Sequence, residues 1–149
     1  MYYLQEEQSF DAAHFLKGYQ GKCKNIHGHR WRVVAVISGS TLQKSGPQRE
    51  MLKDFGDLKN DLKSLTEPLD HALLVEQGSL RPETQAALEA EEFRMVFLPF
   101  RTTAEQFSRY FYEELTKQGY QVREVQVYET PNNCARYDGE REAAEYVQL

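Results

Sequence analysis

Apolar residues at Phe55, Leu58, Leu62 and Leu65 fall at i, i+3, i+7 and i+10, one stripe along a helix predicted from Asp54 to Leu65. Pro68 ends it and leaves Leu69-Asp70-His71 at the start of a new segment. A second stripe of Phe107, Tyr110, Phe111 and Leu115 predicts a helix from about Thr103 to Gln118, with Gly119 as its stop. Residues 3–11 and 30–38 read as strands. The second of these, Arg30-Trp-Arg-Val-Val-Ala-Val-Ile-Ser, is rich in β-branched residues and runs into the turn signal Gly39-Ser-Thr. Val122 to Thr130 reads as a third strand, with Val125, Val127 and Glu129 on one face. Pro131-Asn-Asn is a turn, and Cys134 to Tyr137 a short fourth strand. Between Glu76 and Arg101 the chain makes an excursion that holds a short polar helix, Pro82 to Glu92. The pattern over 140–149 is ambiguous.

The predicted order is therefore β-β-α-α-β-β, an α+β fold with an antiparallel sheet and two main helices on one of its faces. The 149 residues carry no repeat, low-complexity tract or linker, so one domain is expected over residues 1–149. A small sheet covered on one face leaves its other face and its edges in need of partners, and oligomerisation is a common solution.

Composition adds little to this, with 40% hydrophobic and 28% charged residues. The longest aliphatic run, Val33 to Ile37, is far too short to span a bilayer, so no membrane partner is expected. The start, Met-Tyr-Tyr-Leu-Gln-Glu-Glu, has neither a basic nor an apolar leader region, and a cytoplasmic location is expected. In that setting Cys23 and Cys134 are expected as free thiols or ligands.

A net charge of −5 argues against a general nucleic-acid binder. The distribution of charge says more. From Ala12 to Arg49 there is no acidic residue, while Lys17, Lys22, Lys24, Arg30, Arg32, Lys44 and Arg49 are all basic. Such a field would attract a small polyanion. The competing account is that these are solvated loop and strand-edge charges.

Three of the four histidines, His14, His27 and His29, fall in this same window beside Cys23. Side chains at i and i+2 of a strand share a face, so His27 and His29 can reach one ion, and Gly28 between them leaves room for close backbone approach. His14 would supply a third nitrogen and leave the fourth tetrahedral position open, the layout of a catalytic zinc. Two alternatives stay open at this point. The histidines could be solvated or bonded to backbone, or Cys23 could close the site as a fourth, structural ligand.

Six segments in order, Phe10-Asp-Ala-Ala-His14, Cys23-x3-His27-Gly-His29, Asp54-Phe-Gly-Asp-Leu-Lys59, Leu69-Asp-His71, Thr102-Thr-Ala-Glu105 and Val127-Tyr-Glu-Thr130, resemble the family of 6-pyruvoyltetrahydropterin and 6-carboxytetrahydropterin synthases from about residue 9 to Glu140. The resemblance implies a T-fold subunit, trimers that close a barrel, two trimers stacked as a homohexamer, and active sites at subunit interfaces. It implies Zn2+ held by His14, His27 and His29, and 7,8-dihydroneopterin triphosphate as substrate. The short Cys23-x3-His27 gap and Asn132-Asn-Cys-Ala135 resemble the queuosine (7-deazapurine) branch, which forms 6-carboxy-5,6,7,8-tetrahydropterin with release of acetaldehyde and triphosphate. Cys23 argues against a folate-linked branch that carries Glu there. The alternatives are a 6-pyruvoyltetrahydropterin synthase, a non-catalytic zinc-binding assembly module, and a zinc hydrolase using Glu129 or Asp70 as base. The excursion after His71 is longer than in compact members.

The resemblance also assigns roles. Cys23 is the candidate general base, its thiolate favoured by zinc, Lys22 and Lys24. Asp70 and His71 would complete a proton relay, against a plain reading of Asp70 as a helix N-cap. Glu129 would accept two N–H bonds from the pterin edge and is sometimes grouped with the relay. Glu105 would stand at the same edge, although Thr102-x-x-Glu105 is also a capping-box pattern that explains both residues without a ligand. The phosphate contacts among Lys22, Lys24, Arg30 and Arg32 are left unassigned.

Overall fold

Strands β1 (Tyr2–His14) and β2 (His27–Gly39) pair antiparallel along their whole length, from Tyr2 opposite Gly39 to His14 opposite His27. The computed structural model to which this hairpin belongs describes residues 1–139. The ambiguous stretch 140–149 lies outside the described residues. Both strands run further than the β-branched pattern indicates, and both end on the histidines.

The chain continues through α1 (Phe55–Thr66), a 3-10 turn (Glu67–Leu69), β3 (Ala72–Glu76), α2 (Pro82–Ala90), β4 (Met95–Leu98), α3 (Ala104–Lys117), β5 (Val122–Thr130) and β6 (Asn133–Tyr137). The strands form one six-stranded sheet in the order β4-β3-β1-β2-β5-β6. Four antiparallel strands were expected, and β1, β2, β5 and β6 are those strands. The correction is two further strands, β3 and β4, which run parallel to β1 and to each other; β3 leads into the excursion and β4 lies within it. Ala72-Leu-Leu-Val and Met95-Val-Phe-Leu are apolar runs of four, too short for their period to separate a buried parallel strand from a helix.

Asp54 caps α1, its carboxylate accepting from the Gly56 N–H at 2.6 Å. Leu58 and Leu62 on α1, and Phe107, Phe111 and Leu115 on α3, are fully buried against Phe10, Trp31, Val33, Ala35, Val125 and Val127 of the sheet. Each such side chain contributes about 1.5–3 kcal/mol by leaving water. Period two then decides what shares this face. On β1 the buried set Phe10 and Ala12 continues to His14, and on β2 Trp31 and Val33 lead back to His29 and His27. The hydrophobic core and the histidines therefore lie on the same side of one sheet.

Candidate metal centre and active site

At the open end of the hairpin, His14 and His27 are cross-strand partners, and His29 stands opposite Ala12. Their ligand nitrogens lie within 4.8 Å of one another, the ring centroids 4.6 to 5.1 Å apart. Trp31 forms the floor, edge-on to His14 and His29, with its indole N–H donating to the Ala12 carbonyl at 3.2 Å. The Nδ1 atoms of His14 and His27 are both taken. His14 Nδ1 bonds the Thr102 carbonyl at 2.7 Å, with the Thr102 hydroxyl at 3.3 Å, and His27 Nδ1 bonds the Asn25 carbonyl at 2.6 Å. A backbone carbonyl only accepts, so both rings carry their proton on Nδ1 and present Nε2 as a lone pair.

All three Nε2 atoms are buried and without a hydrogen-bond partner. One such atom costs free energy, and three converging on a point fit a bound cation. Three imidazoles with an open fourth position are the donor set of a catalytic divalent metal. Burial pushes His14 down to about 4, outweighing the Thr102 carbonyl, and the neighbouring His27 and His29 push the same way. His29 is lowered too, first by burial and then by His27. Both are thus neutral at pH 7, the form that ligates a metal. The 3.9 Å approach of Glu129 Oε1 to His14 Nε2 is for this reason no ion pair.

Glu129 follows Val125 and Val127 on the core-facing side of β5, where the pairing with β6 shifts register between Tyr128 and Thr130. A bulge re-aims a side chain, and here it brings the carboxylate beside the histidines. Burial raises the Glu129 pKa, and the charge of Glu105 raises it further. Glu105 is thus close enough to sense Glu129, although it is exposed on the first turn of α3. The capping-box reading is corrected. The cap of α3 is Thr103, whose hydroxyl accepts from the Gln106 N–H at 3.3 Å. Thr102, fully buried, holds His14 instead.

Cys23 sits in a 3-10 turn, Lys22–Lys24, just ahead of His27, and it is a free, partly buried thiol. Among the described residues the three-histidine cluster includes no thiol, which disfavours a closed four-ligand site. The basic window splits. Lys22 and Lys24 flank Cys23, whereas Arg30 and Arg32 point to the opposite face of the sheet. There Asp11 pairs with Arg30 at 2.9 Å and Glu7 with Arg32 at 3.0 Å. A Cβ at Gly28 would meet the Ala12 carbonyl at an ordinary 3.8 Å, so no close backbone approach within this chain requires that glycine.

Asp70 and His71 also lie on that opposite side. The Asp70 carboxylate accepts from the Asp11 N–H at 2.8 Å and from His71 Nδ1–H at 2.8 Å. The Asp11 bond first, and His71 second, hold the Asp70 pKa below its usual value. The N-cap reading of Asp70 is corrected, because the segment that follows is β3, not a helix. His71 adopts φ +53°, and its N–H donates to the Asp11 carbonyl at 2.6 Å. A left-handed histidine is uncommon and points to a constrained role. His71 lines a cavity of about 630 Å³ with Asp11, Ala13, His29 and Arg30 of the hairpin, and Leu88 and Phe93 from the excursion.

The model of 6-pyruvoyl tetrahydropterin synthase matches residues 3–140. The chain belongs to that family. Among curated proteins, one from Haemophilus influenzae named 6-carboxy-5,6,7,8-tetrahydropterin synthase is 37% identical over 140 residues, spanning 92% of this chain and 99% of that protein. A protein of the same name from Synechocystis is 31% identical, over 92% of this chain and 93% of its own. Among solved structures, an uncharacterized protein from Wolinella succinogenes superposes with a TM-score of 0.75 at 21% identity, covering 93% of this chain and 98% of that one. The 6-pyruvoyl tetrahydropterin synthase of Plasmodium falciparum gives 0.67 at 19% identity, over 91% and 96%. These neighbours share the T-fold.

In this member of the family, the supporting roles of three residues could not be read from the sequence. Asn25 and Asp11 act through backbone groups, which any residue could supply. Thr102 is visible in Thr102-Thr-Ala-Glu105, but that string offers two registers for a helix cap, and the buried one serves His14. Among the described residues no helix is long and apolar enough to cross a membrane.

Proposed function

We propose that this protein is a zinc-dependent 6-carboxy-5,6,7,8-tetrahydropterin synthase. It would convert 7,8-dihydroneopterin triphosphate to the carboxypterin with release of acetaldehyde and triphosphate, a step toward queuosine and related 7-deazapurines, in the cytoplasm. The observation that carries the reading is the convergence of three buried, unpartnered Nε2 atoms in a chain whose curated relatives bear that name.

His14, His27 and His29 would hold the zinc, with Thr102 and Asn25 fixing two of the rings from behind. When bound, zinc supplies Lewis-acid polarisation of the substrate's hydroxylated side chain. Cys23 takes the proton released there, and Lys22 and Lys24 on either side of it in the chain steer the triphosphate. Glu129 accepts the N–H groups of the pterin edge, and Glu105 stands beside it. Asp70 accepts from His71 Nδ1–H, so it fixes the tautomer that leaves Nε2 free to exchange a proton with substrate.

His29 borders the same cavity as His71, but by strand parity the three Nε2 atoms converge on the core-facing side of the sheet, with Phe10, Ala12 and Trp31, while His71 is bonded through Asp70 and Asp11 on the other side. The reading therefore places Asp70 and His71 against the metal centre of a second copy, in a trimer or hexamer with sites at its interfaces. β3 pairs with β1 only over Ala12–His14, which leaves most of β1 open on that side, and β6 is the outer strand at the other end of the sheet, so the chain suits such head-to-tail closure.

The test is to incubate zinc-loaded protein with 7,8-dihydroneopterin triphosphate and identify products by mass spectrometry, beside Cys23→Ala. Carboxytetrahydropterin with acetaldehyde, absent from the variant, is the expected result. A pyruvoyl product would move the protein to the other branch of the family, and no turnover at all would sink the enzyme reading.

A further inference from the structure

The loop of residues 16–24 carries Cys23, and its hydrogen bonds are mostly its own. The Leu16 N–H donates to the Cys23 carbonyl at 2.9 Å and closes the neck of the loop. Tyr19 N–H donates to Leu16, and Lys24 N–H to Gly21. Among the described residues, one hydrogen bond reaches this loop from a distant part of the chain: the Arg101 guanidinium donates from Nη2 to the Lys17 carbonyl at 3.0 Å. Lys17 adjoins the neck residue Leu16, so the position of Cys23 depends on where Arg101 holds that carbonyl.

Arg101 directly precedes Thr102, the residue behind His14. Two neighbouring residues thus fix two parts of the site, Thr102 a metal ligand and Arg101 the cysteine loop. The Thr103 N–H donates to the Arg101 carbonyl at 2.7 Å, and Thr103 caps α3, so both are anchored to the start of a packed helix. The Nε atom of Arg101 is buried without a partner. A guanidinium lying freely on the rim would keep that N–H in water, so the side chain is held in place by its surroundings.

We propose that Arg101 is a positioning residue that sets the distance between Cys23 and the three-histidine centre. The proposal rests on the reading of Cys23 as general base. It needs no contact between Arg101 and substrate. An arginine suits the task because its planar fork is always charged and loses little freedom on binding a carbonyl. Displacement of a catalytic group by about 1 Å can cost on the order of a hundredfold in rate.

The experiment compares Arg101→Ala and Arg101→Lys with the parent, all carrying Cys134→Ser so that Cys23 is the thiol read out. Zinc content, the rate of Cys23 alkylation by iodoacetamide in the zinc-loaded protein, and kcat and KM for 7,8-dihydroneopterin triphosphate are measured together. Arg101→Ala is expected to keep its zinc, to alkylate several times faster, and to lose about ten- to a hundredfold in kcat with KM within about threefold. Arg101→Lys, which can still donate to Lys17, should recover part of each. An alkylation rate and kcat equal to the parent's would overturn the proposal, as would loss of zinc and activity together with no recovery in Arg101→Lys. Should Arg101→Ala fail to fold, Arg101→Lys and Arg101→Gln decide by the same readouts. A Cys23→Ala protein that still turns over would refute the base assignment instead, and the alkylation rates would then decide the placement of the loop by themselves.

Discussion

His14 and His27 face each other across the last rung of the β1–β2 ladder, their ring centroids 4.6 Å apart. Two imidazoles are thus set by strand register alone, and His29 joins them by parity.

One divalent ion per chain should bind there, and His14→Ala, His27→Ala or His29→Ala should each abolish it while the strand signal in circular dichroism remains. Removing the ion with a chelator should lower the thermal midpoint. Ion present at a hundred times its dissociation constant stabilises by about 2.7 kcal/mol. Metal analysis with paired melting curves checks both; a full equivalent retained by any of the three variants would contradict the assignment.

The metal-free protein should weaken in mild acid. His14 has its folded pKa pushed from 6.5 to about 4, and His29 is lowered as well. Between about pH 6.5 and pH 4 the unfolded chain binds more protons than the folded one, so stability falls as pH falls through that window. A shift of this size corresponds to roughly 3 kcal/mol, all of it present above pH 6.5 and gone below 4. Urea unfolding of chelated protein at pH 7 and pH 5 measures it, and equal midpoints would refute it. Asp70, whose pKa is lowered from 3.8, adds a separate loss at more acid pH.

Thr102→Val should weaken metal binding by about tenfold, the lower end for a supporting contact, because the carbonyl still holds Nδ1 after the hydroxyl is gone. Thr102→Ser should restore it. Competition against a chromophoric chelator gives both affinities, and an unchanged Thr102→Val affinity would mean that the carbonyl suffices.

Asp70→Asn should lower kcat by roughly a hundredfold or more, since an amide no longer fixes the Nδ1–H tautomer of His71. His71→Asn should do the same without loss of fold, because asparagine tolerates the left-handed backbone at φ +53°. Zinc content should be unaltered in both. Steady-state kinetics beside metal analysis tests this, and parent-like kcat in either would remove the dyad from the reaction.

How much of this was readable from residues alone differs by element. The helices and four antiparallel strands follow from apolar spacing, and the histidine centre from parity plus one extra histidine. β3 and β4 were missed because four apolar residues carry too little period to choose a state. Arg30 and Arg32 read as part of one basic field, yet their parity sends them to the far face, where Asp11 and Glu7 answer them. Asp70 gave no sign of its bond to Asp11, 59 positions away, because a backbone N–H leaves no trace in sequence.

The separation of His71 from the histidine centre across the sheet has a genetic consequence. If a working site draws its two halves from neighbouring copies, defects in different halves should complement each other. Chains bearing Cys23→Ala and chains bearing His71→Asn, each inactive alone, should regain activity when co-assembled. Random head-to-tail pairing of equal amounts would leave roughly a quarter of the interfaces with both good halves. Two alleles that fail separately would then restore the reaction together in one cell.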